Sequence, residues 1–89
     1  MANLVVDIGN TALKAAWAEG VTLGKTFRYQ GERMTDFILS LAGRNRPDVL
    51  AVASSREIAP SDIQRLKASC GHLMLVSPSC KDVYGEGDI

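Results

Sequence analysis

The sequence predicts an α/β fold in which helices pack on a mixed β-sheet, with the element order βββαβαβ. Three observations support this prediction. A short apolar strand at residues 4–8 is followed by residues 13–29, which alternate apolar and polar side chains in the manner of strands joined by short turns. Apolar residues then recur at helical spacing, and two later apolar runs each follow a helical segment. Because helical crossovers join parallel strands, an antiparallel meander should lead into a parallel region of the sheet.

The first half of the predicted sheet is a three-stranded meander. Residues 4–8 read as a buried strand, and Gly9-Asn10 marks a tight turn before a second strand that begins near Ala12. Glycine at this turn is expected to supply a positive φ, which asparagine also tolerates. Alternation continues over residues 13–18 and again over residues 21–29, which predicts the second and third strands.

A helix and a central strand should follow the meander. The helical face is formed by apolar residues spaced i, i+3, i+4 and i+7, namely Met34, Phe37, Ile38 and Leu41. Gly43 is placed to end this helix as its C′ residue. Residues 49–53 are apolar almost throughout, which favours a central strand with both faces covered. Ser54-Ser55 closes that strand.

The last predicted helix begins near Pro60, which suits a first helical turn, and Asp62 complements its positive end. Its narrow apolar stripe consists of Ile63, Leu66 and Cys70, and Gly71 should end it. Residues 73–76 form a short fifth strand that stops before Pro78. The sequence therefore predicts five strands and two helices in one sheet-based domain.

Size and composition predict one small cytoplasmic domain. The chain has 89 residues, 46% hydrophobic and 22% charged, with a formal net charge of zero. This balance gives no basic field for nucleic acid, and no apolar stretch approaches the length of a membrane helix. No basic region precedes an apolar run at the start of the chain, so we expect no signal peptide. Cys70 and Cys80 lack metal-site spacing and are expected to be reduced thiols.

The polar turn after the first strand is the main candidate site. Gly9, Asn10 and Thr11 could present backbone and hydroxyl donors to an anion, and Lys14 could neutralise a phosphate oxygen. Asp7 ends an apolar strand, where a carboxylate needs a cation or donors, so it is a candidate metal ligand. A hairpin turn without any ligand would also account for these residues. Residue chemistry alone leaves both readings open.

The string Asp7-x-Gly9-Asn10-Thr11-x-x-Lys14 resembles the first phosphate motif of the type III pantothenate kinases, which belong to the actin-like ATPase superfamily. Ser54-Ser55 resembles the serine pair that follows the corresponding strand in that family. The resemblance covers residues 3–76 and implies a ribonuclease H-like βββαβαβ unit. Residues 1–78 would then form an N-terminal phosphate-binding domain. Residues 79–89 would be a tail that leads toward a second domain.

The resemblance implies transfer of the ATP γ-phosphate to pantothenate, the first step of coenzyme A biosynthesis. It also implies Mg²⁺, a monovalent cation (K⁺ or NH₄⁺) and a homodimer. In that scheme the phosphates and the metal are bound by Asp7, Gly9, Asn10, Thr11, Lys14, Ser54 and Ser55. The catalytic aspartate of the family lies in a Gly-x-Asp-Arg motif of the second half, which this sequence lacks. No catalytic residue is therefore assigned here, and these 89 residues alone are expected to be inactive.

Three other functions remain open from the sequence. One is a regulatory actin-like domain that binds nucleotide without kinase chemistry, and a second is another small-molecule kinase of the same superfamily. The third is a ribonuclease H-like nuclease, which needs several carboxylates that converge on metal ions. Only Asp7 lies at a suitable strand position, because Asp48 should begin its strand at the opposite end of the sheet.

Overall fold

A computed structural model describes residues 2–19, 22–78 and 83–85. The predicted order βββαβαβ is confirmed, and one further strand follows it. The strands are β1 (Asn3–Ile8), β2 (Leu13–Glu19), β3 (Thr22–Tyr29), β4 (Val49–Ser54), β5 (His72–Val76) and β6 (Val83–Gly85). The helices are α1 (Met34–Arg44) and α2 (Pro60–Ala68).

The strands form a single mixed sheet in the order β3-β2-β1-β4-β5-β6. β1, β2 and β3 are the predicted antiparallel meander. β4 pairs in parallel with β1 on one side and with β5 on the other, as the two helical crossovers require. β6 pairs antiparallel with β5 and falls within the segment predicted as a tail. This arrangement brings the ends of β1 and β4 side by side at the centre of the sheet.

The hydrophobic core lies between one face of the sheet and the two helices. Alternate strand residues point into it, and the helices contribute the apolar stripes that the sequence predicts. The core is formed by Leu4, Val6, Ile8, Leu13, Ala15, Met34, Ile38, Leu41, Ala42, Leu50, Val52, Leu66, Cys70, Leu73 and Leu75. This packing fixes the direction of β1 and β4, and hence the position of the turns that follow them.

The opposite face of the sheet, here called the open face, is solvent-exposed. It carries Val5, Asp7, Lys14, Ala16, Thr26, Arg28, Ala51, Ala53, Met74 and Val76. Val5, Met74 and Val76 expose 42%, 44% and 52% of their surface. The prediction that both faces of β4 are covered is therefore wrong for the described residues. Its second face carries Val49, Ala51 and Ala53, of which the first two are half-buried and Ala53 is exposed, so an apolar run did not imply burial on both sides.

Both helix ends differ from prediction. Gly43 lies inside α1, which continues to Arg44 and ends as Asn45 turns to extended backbone at φ −156°. No left-handed glycine is needed there, because the chain simply runs on toward Pro47. α2 ends at Ala68, earlier than the predicted stop at Gly71, and the Ser69 N–H caps it on the Leu66 carbonyl at 3.1 Å.

Glycine is needed at residue 71 because the Asp48 backbone lies close to it, not because it ends α2. A Cβ atom at this position would lie 2.8 Å from the Asp48 carbonyl oxygen. The neighbouring Cys70 is a free, buried thiol, and burial raises the pKa of that thiol. Cys80 lies outside the described residues. Neither α1 nor α2, the helices of the described part, has the length and apolarity to cross a membrane.

Candidate functional site

The candidate site lies where β1 and β4 end. Ile8 and Ser54 are register partners in this parallel pair, so the turn after β1 and the loop after β4 emerge next to each other. The Ser55 N–H donates a 3.0 Å hydrogen bond to the Ile8 carbonyl and so fixes the start of the loop against β1. The carboxyl ends of parallel strands are the usual ligand-binding edge of open α/β sheets.

The turn after β1 is held closed by its own backbone. The Gly9 N–H donates to the Ala12 carbonyl at 2.8 Å. The prediction of positive φ is wrong here, since neither Gly9 nor Asn10 has one in the described structure. Glycine is favoured by space, because a Cβ atom at residue 9 would lie 3.3 Å from the Ala12 oxygen. Any larger side chain would crowd the turn.

The donors left for a ligand come from the tip of this turn. The Gly9 N–H is already bonded to Ala12 and cannot also point at an anion. In the described structure, the N–H groups of Asn10 and Thr11 and the Thr11 hydroxyl make no hydrogen bond. Asn10 and Thr11 are both exposed. A cluster of free donors in a tight turn is a suitable binding site for phosphate oxygens.

The two predicted serines hold the loop after β4 in place. The Ser54 hydroxyl donates to the Arg56 carbonyl at 2.7 Å and accepts the Arg56 N–H at 3.1 Å. The Ser55 hydroxyl donates to the Asn10 side-chain oxygen at 3.2 Å. Ser54 therefore shapes its own loop, whereas Ser55 joins this loop to the turn after β1. Both serines act on the site through Asn10 and Arg56.

Arg56 is a site residue that the sequence reasoning missed. Its guanidinium donates a 2.5 Å hydrogen bond to the Asn10 main-chain carbonyl, which brings positive charge to the turn. Residue type alone does not distinguish it from the other arginines of the chain. The signal that could have found it is its position two residues beyond the end of β4, at the same edge of the sheet as the phosphate motif.

Asp7 and Lys14 face each other on the open face. They are register partners across β1 and β2, and both side chains are exposed. Within the described residues, neither makes an ion pair or a side-chain hydrogen bond. They border a shallow pocket of about 250 Å³ whose other walls are Val5, Ala15, Ala16 and Thr26. An unpaired carboxylate and an unpaired ammonium are thus both available to a ligand.

The donor set suits a metal that arrives with a polyphosphate better than a resident metal. Asp7 is the carboxylate of this site, and its parallel neighbour across β4 is Ala53. The described residues contain no group of three or more His, Cys, Asp or Glu side chains that could hold a metal ion. Mg²⁺ commonly binds one or two carboxylates together with water and substrate phosphates. Asp7 fits that mode.

The remaining charged side chains belong to other surfaces. Arg65 donates to Asp36 at 2.6 Å and to Asp62 at 3.3 Å, which links α2 to α1. The hydrogen bond to Asp36 is the main reason that the pKa of Arg65 is raised. Arg33 pairs with Asp36 at 3.9 Å. These contacts secure the helical layer and lie apart from the turn after β1.

Comparisons with known proteins reveal the fold. A scan against protein-family models and a search of curated proteins both find no match. Among solved structures, T. thermophilus RuvC in complex with a Holliday junction substrate is similar, with a TM-score of 0.59 and 14% identity. The similarity covers 88% of this chain and 65% of that one. A second Thermus thermophilus RuvC structure gives a TM-score of 0.56 at 14% identity, over 88% and 64% of the two chains.

The chain therefore has a ribonuclease H-like fold, as the element order and the motif predicted. It spans less than two thirds of either RuvC chain. At this identity the likeness establishes the architecture alone. Any activity has to be argued from the side chains at the ends of β1 and β4.

Proposed function

We propose that the chain is the phosphate-binding domain of an ATP-dependent small-molecule kinase, and that pantothenate is the acceptor. The observation that supports a phosphate site most strongly is that the loop after β4 holds the turn after β1 in place. Hydrogen bonds from Ser55 and Arg56 hold Asn10 from the neighbouring loop, while the N–H groups of Asn10 and Thr11 make no hydrogen bond in the described structure. A hairpin that merely reverses the chain does not need these two contacts.

The roles of the residues follow from their chemistry. Thr11 and the N–H groups at the tip of the turn would bind phosphate oxygens, and Lys14 would supply a positive charge. Asp7 would bind Mg²⁺ or its waters, and the metal would neutralise charge on the phosphates. Phosphoryl transfer depends mainly on positioning and charge stabilisation, which this arrangement suits. Asn10, Ser54 and Ser55 would keep the donors in place.

Nucleic-acid cleavage is the rival function, because the similar RuvC structure holds a Holliday junction substrate. Metal-dependent cleavage of this kind needs carboxylates that converge on metal ions. The register partners of Asp7 are Lys14 and Ala53. Asp48 lies at the other end of the sheet, where its N–H donates to the Ala2 carbonyl at 2.8 Å. These positions favour phosphate binding over a nuclease centre.

Pantothenate as the acceptor rests on the sequence resemblance alone. Asn10 before Thr11 is the feature that points to the type III pantothenate kinases, and Ser54-Ser55 resembles the serine pair after the corresponding strand in that family. The predicted catalytic aspartate belongs to a second half that these 89 residues do not include. A regulatory domain that binds nucleotide without catalysis would use the same turn, so activity has to be measured.

The test is formation of phosphopantothenate from ATP, Mg²⁺, K⁺ and pantothenate. The 89-residue chain alone should give no product, since its sequence lacks the Gly-x-Asp-Arg motif in which the resemblance places the residue that accepts the hydroxyl proton. The full-length protein that the resemblance implies should form product steadily. If the full-length protein does not phosphorylate pantothenate but does phosphorylate another small acceptor, the proposed acceptor is wrong and the proposed kinase activity is retained. Inactivity with every acceptor despite ATP binding would favour the regulatory domain.

A further inference from the structure

One charged residue of the open face has no role in the proposed site. Arg28 of β3 is the register partner of Lys14 of β2, which is in turn the partner of Asp7 of β1. The three side chains therefore form one row across three neighbouring strands. All three are exposed, and Arg28, like the other two, makes no ion pair within the described residues.

The row has an excess of positive charge. Like charges directly opposite each other on neighbouring strands destabilise a sheet, so the pairing of Arg28 with Lys14 has an energetic cost. Asp7 is the carboxylate of this row and can offset one of the two cations, not both. Beyond it lie the uncharged Ala53 and Val76, which offer no further compensation. An anion bound along the row would relieve the repulsion.

The geometry selects the kind of anion. Neighbouring strands lie about 4.8 Å apart, so Arg28 is one strand further than Lys14 from the end of β1. A single phosphate at the turn would meet the donors of Thr11 and the charge of Lys14. A chain of phosphates that starts at the turn and runs across β2 would also approach Arg28, whose planar guanidinium suits phosphate oxygens.

We infer that Arg28 extends the phosphate site and binds a second phosphate group of a di- or triphosphate chain held at the turn. This inference rests on the proposed phosphate-binding function of the turn. It adds selectivity to that function, because the site favours polyphosphates over single phosphates. Arg28 is a binding residue in this account and takes no part in bond making.

The experiment compares affinities for phosphate, pyrophosphate and tripolyphosphate, measured by NMR titration of the 89-residue chain at low salt. Affinity should increase with the length of the phosphate chain. Arg28→Gln should weaken tripolyphosphate binding by about threefold to tenfold, as expected for one charged hydrogen bond at an exposed site, and leave phosphate binding unchanged. The difference should shrink at high salt, because exposed charges are screened.

Lys25→Gln is the matched control. Lys25 lies on the same strand and carries the same charge, but its ammonium sits 5.5 Å from the centre of the Phe27 ring on the side of the core. Its loss should leave all three affinities unchanged. The inference would be overturned if both variants weakened tripolyphosphate binding equally. It would also be overturned if Arg28→Gln lowered the affinities for phosphate and tripolyphosphate by the same factor.

The same series separates this inference from the proposed function. If tripolyphosphate binds in an Arg28-dependent way and ATP does not compete with it, the polyphosphate site stands and the nucleotide function fails. If ATP binds at the turn and Arg28→Gln has no effect on ATP or tripolyphosphate, the function stands and the inference fails. If none of the three phosphates binds, both fail.

Discussion

The guanidinium of Arg56 donates a hydrogen bond to the main-chain carbonyl of Asn10, across the gap between the loop after β4 and the turn after β1. The two residues are 46 positions apart in sequence. The contact joins two parts of the chain that are built by different strands of the sheet. The shape of the turn after β1 therefore depends on β4 as well as on its own hairpin.

Arg56→Ala should weaken phosphate binding more than it weakens the fold. The contact is exposed, so its loss should lower the free energy of unfolding by less than about 1 kcal/mol. The turn would lose a nearby positive charge and the hydrogen bond that joins it to the loop after β4, so ATP affinity should fall several-fold. Arg44→Ala removes an exposed arginine at the end of α1 and is the control. Equal ATP affinity in the two variants would contradict a role for Arg56 at the turn.

Asp7→Asn should abolish the Mg²⁺-dependent part of ATP binding, because an amide is a poor ligand for Mg²⁺. In the full-length kinase that we propose, turnover should fall by orders of magnitude. The domain should stay folded, since Asp7 is exposed and its side chain makes no hydrogen bond or ion pair within the described residues. The measurement is ATP affinity with and without Mg²⁺, combined with thermal denaturation.

The control for Asp7→Asn is Glu19→Gln, which removes an exposed carboxylate at the far end of β2. This variant should keep the ATP affinity, the Mg²⁺ dependence and the thermal stability of the parent chain. A folded Asp7→Asn protein with the same Mg²⁺ dependence and near-normal turnover would remove Asp7 from the mechanism.

Lys14→Ala should have a milder effect than Asp7→Asn. A lysine that reaches phosphate acts as one point charge, and Arg56 and the N–H donors of the turn remain in place. We expect a moderate rise in the dissociation constant for ATP and a smaller loss of turnover than in Asp7→Asn. Lys14→Arg should recover part of the affinity. A loss as large as that of Asp7→Asn would mean that Lys14 does more than neutralise charge.

The sequence predicts the fold well where periodicity and turn residues agree. The meander and the crossover helices produce distinct patterns, and the structure confirms them. The errors fall where small residues were read as signals. Gly43 continues α1 instead of ending it, and Ala51 and Ala53 leave one side of β4 partly exposed. β6 was missed because a strand of three residues carries almost no pattern of its own.

The sequence predicted where the candidate site residues lie in the sheet but not the contacts between them. Asp7, Asn10 and Ser55 lie at neighbouring strand ends, as their sequence contexts imply. That Arg56 reaches Asn10 could not be read from the sequence, because the contact depends on the register between β1 and β4. The same holds for the row of Asp7, Lys14 and Arg28, which exists only once three strands are aligned.

The open face should drive self-association of the 89-residue chain. Val5 on β1 and Met74 and Val76 on β5 expose apolar surface on either side of β4, and a net charge of zero gives no long-range repulsion between copies. A second copy of the chain is the expected occupant. Sedimentation equilibrium should give a mass above that of the monomer.

Replacing Met74 by Gln and Val76 by Thr should shift the chain toward monomer without unfolding it. Ala68→Gln, an exposed change at the end of α2, should leave the mass unaltered. A strictly monomeric parent chain would count against this interface.

The most direct test of the central claim is an NMR titration of the 89-residue chain with Mg²⁺-ATP. Binding should be weak, with a dissociation constant of about 1 mM, equivalent to about 4 kcal/mol. The largest amide shifts should cluster at residues 9–11, 14 and 54–56, and Asp7→Asn should remove their dependence on Mg²⁺. Shifts that are absent at 10 mM ATP, or that cluster on α1 and α2 instead, would contradict a phosphate site at the ends of β1 and β4.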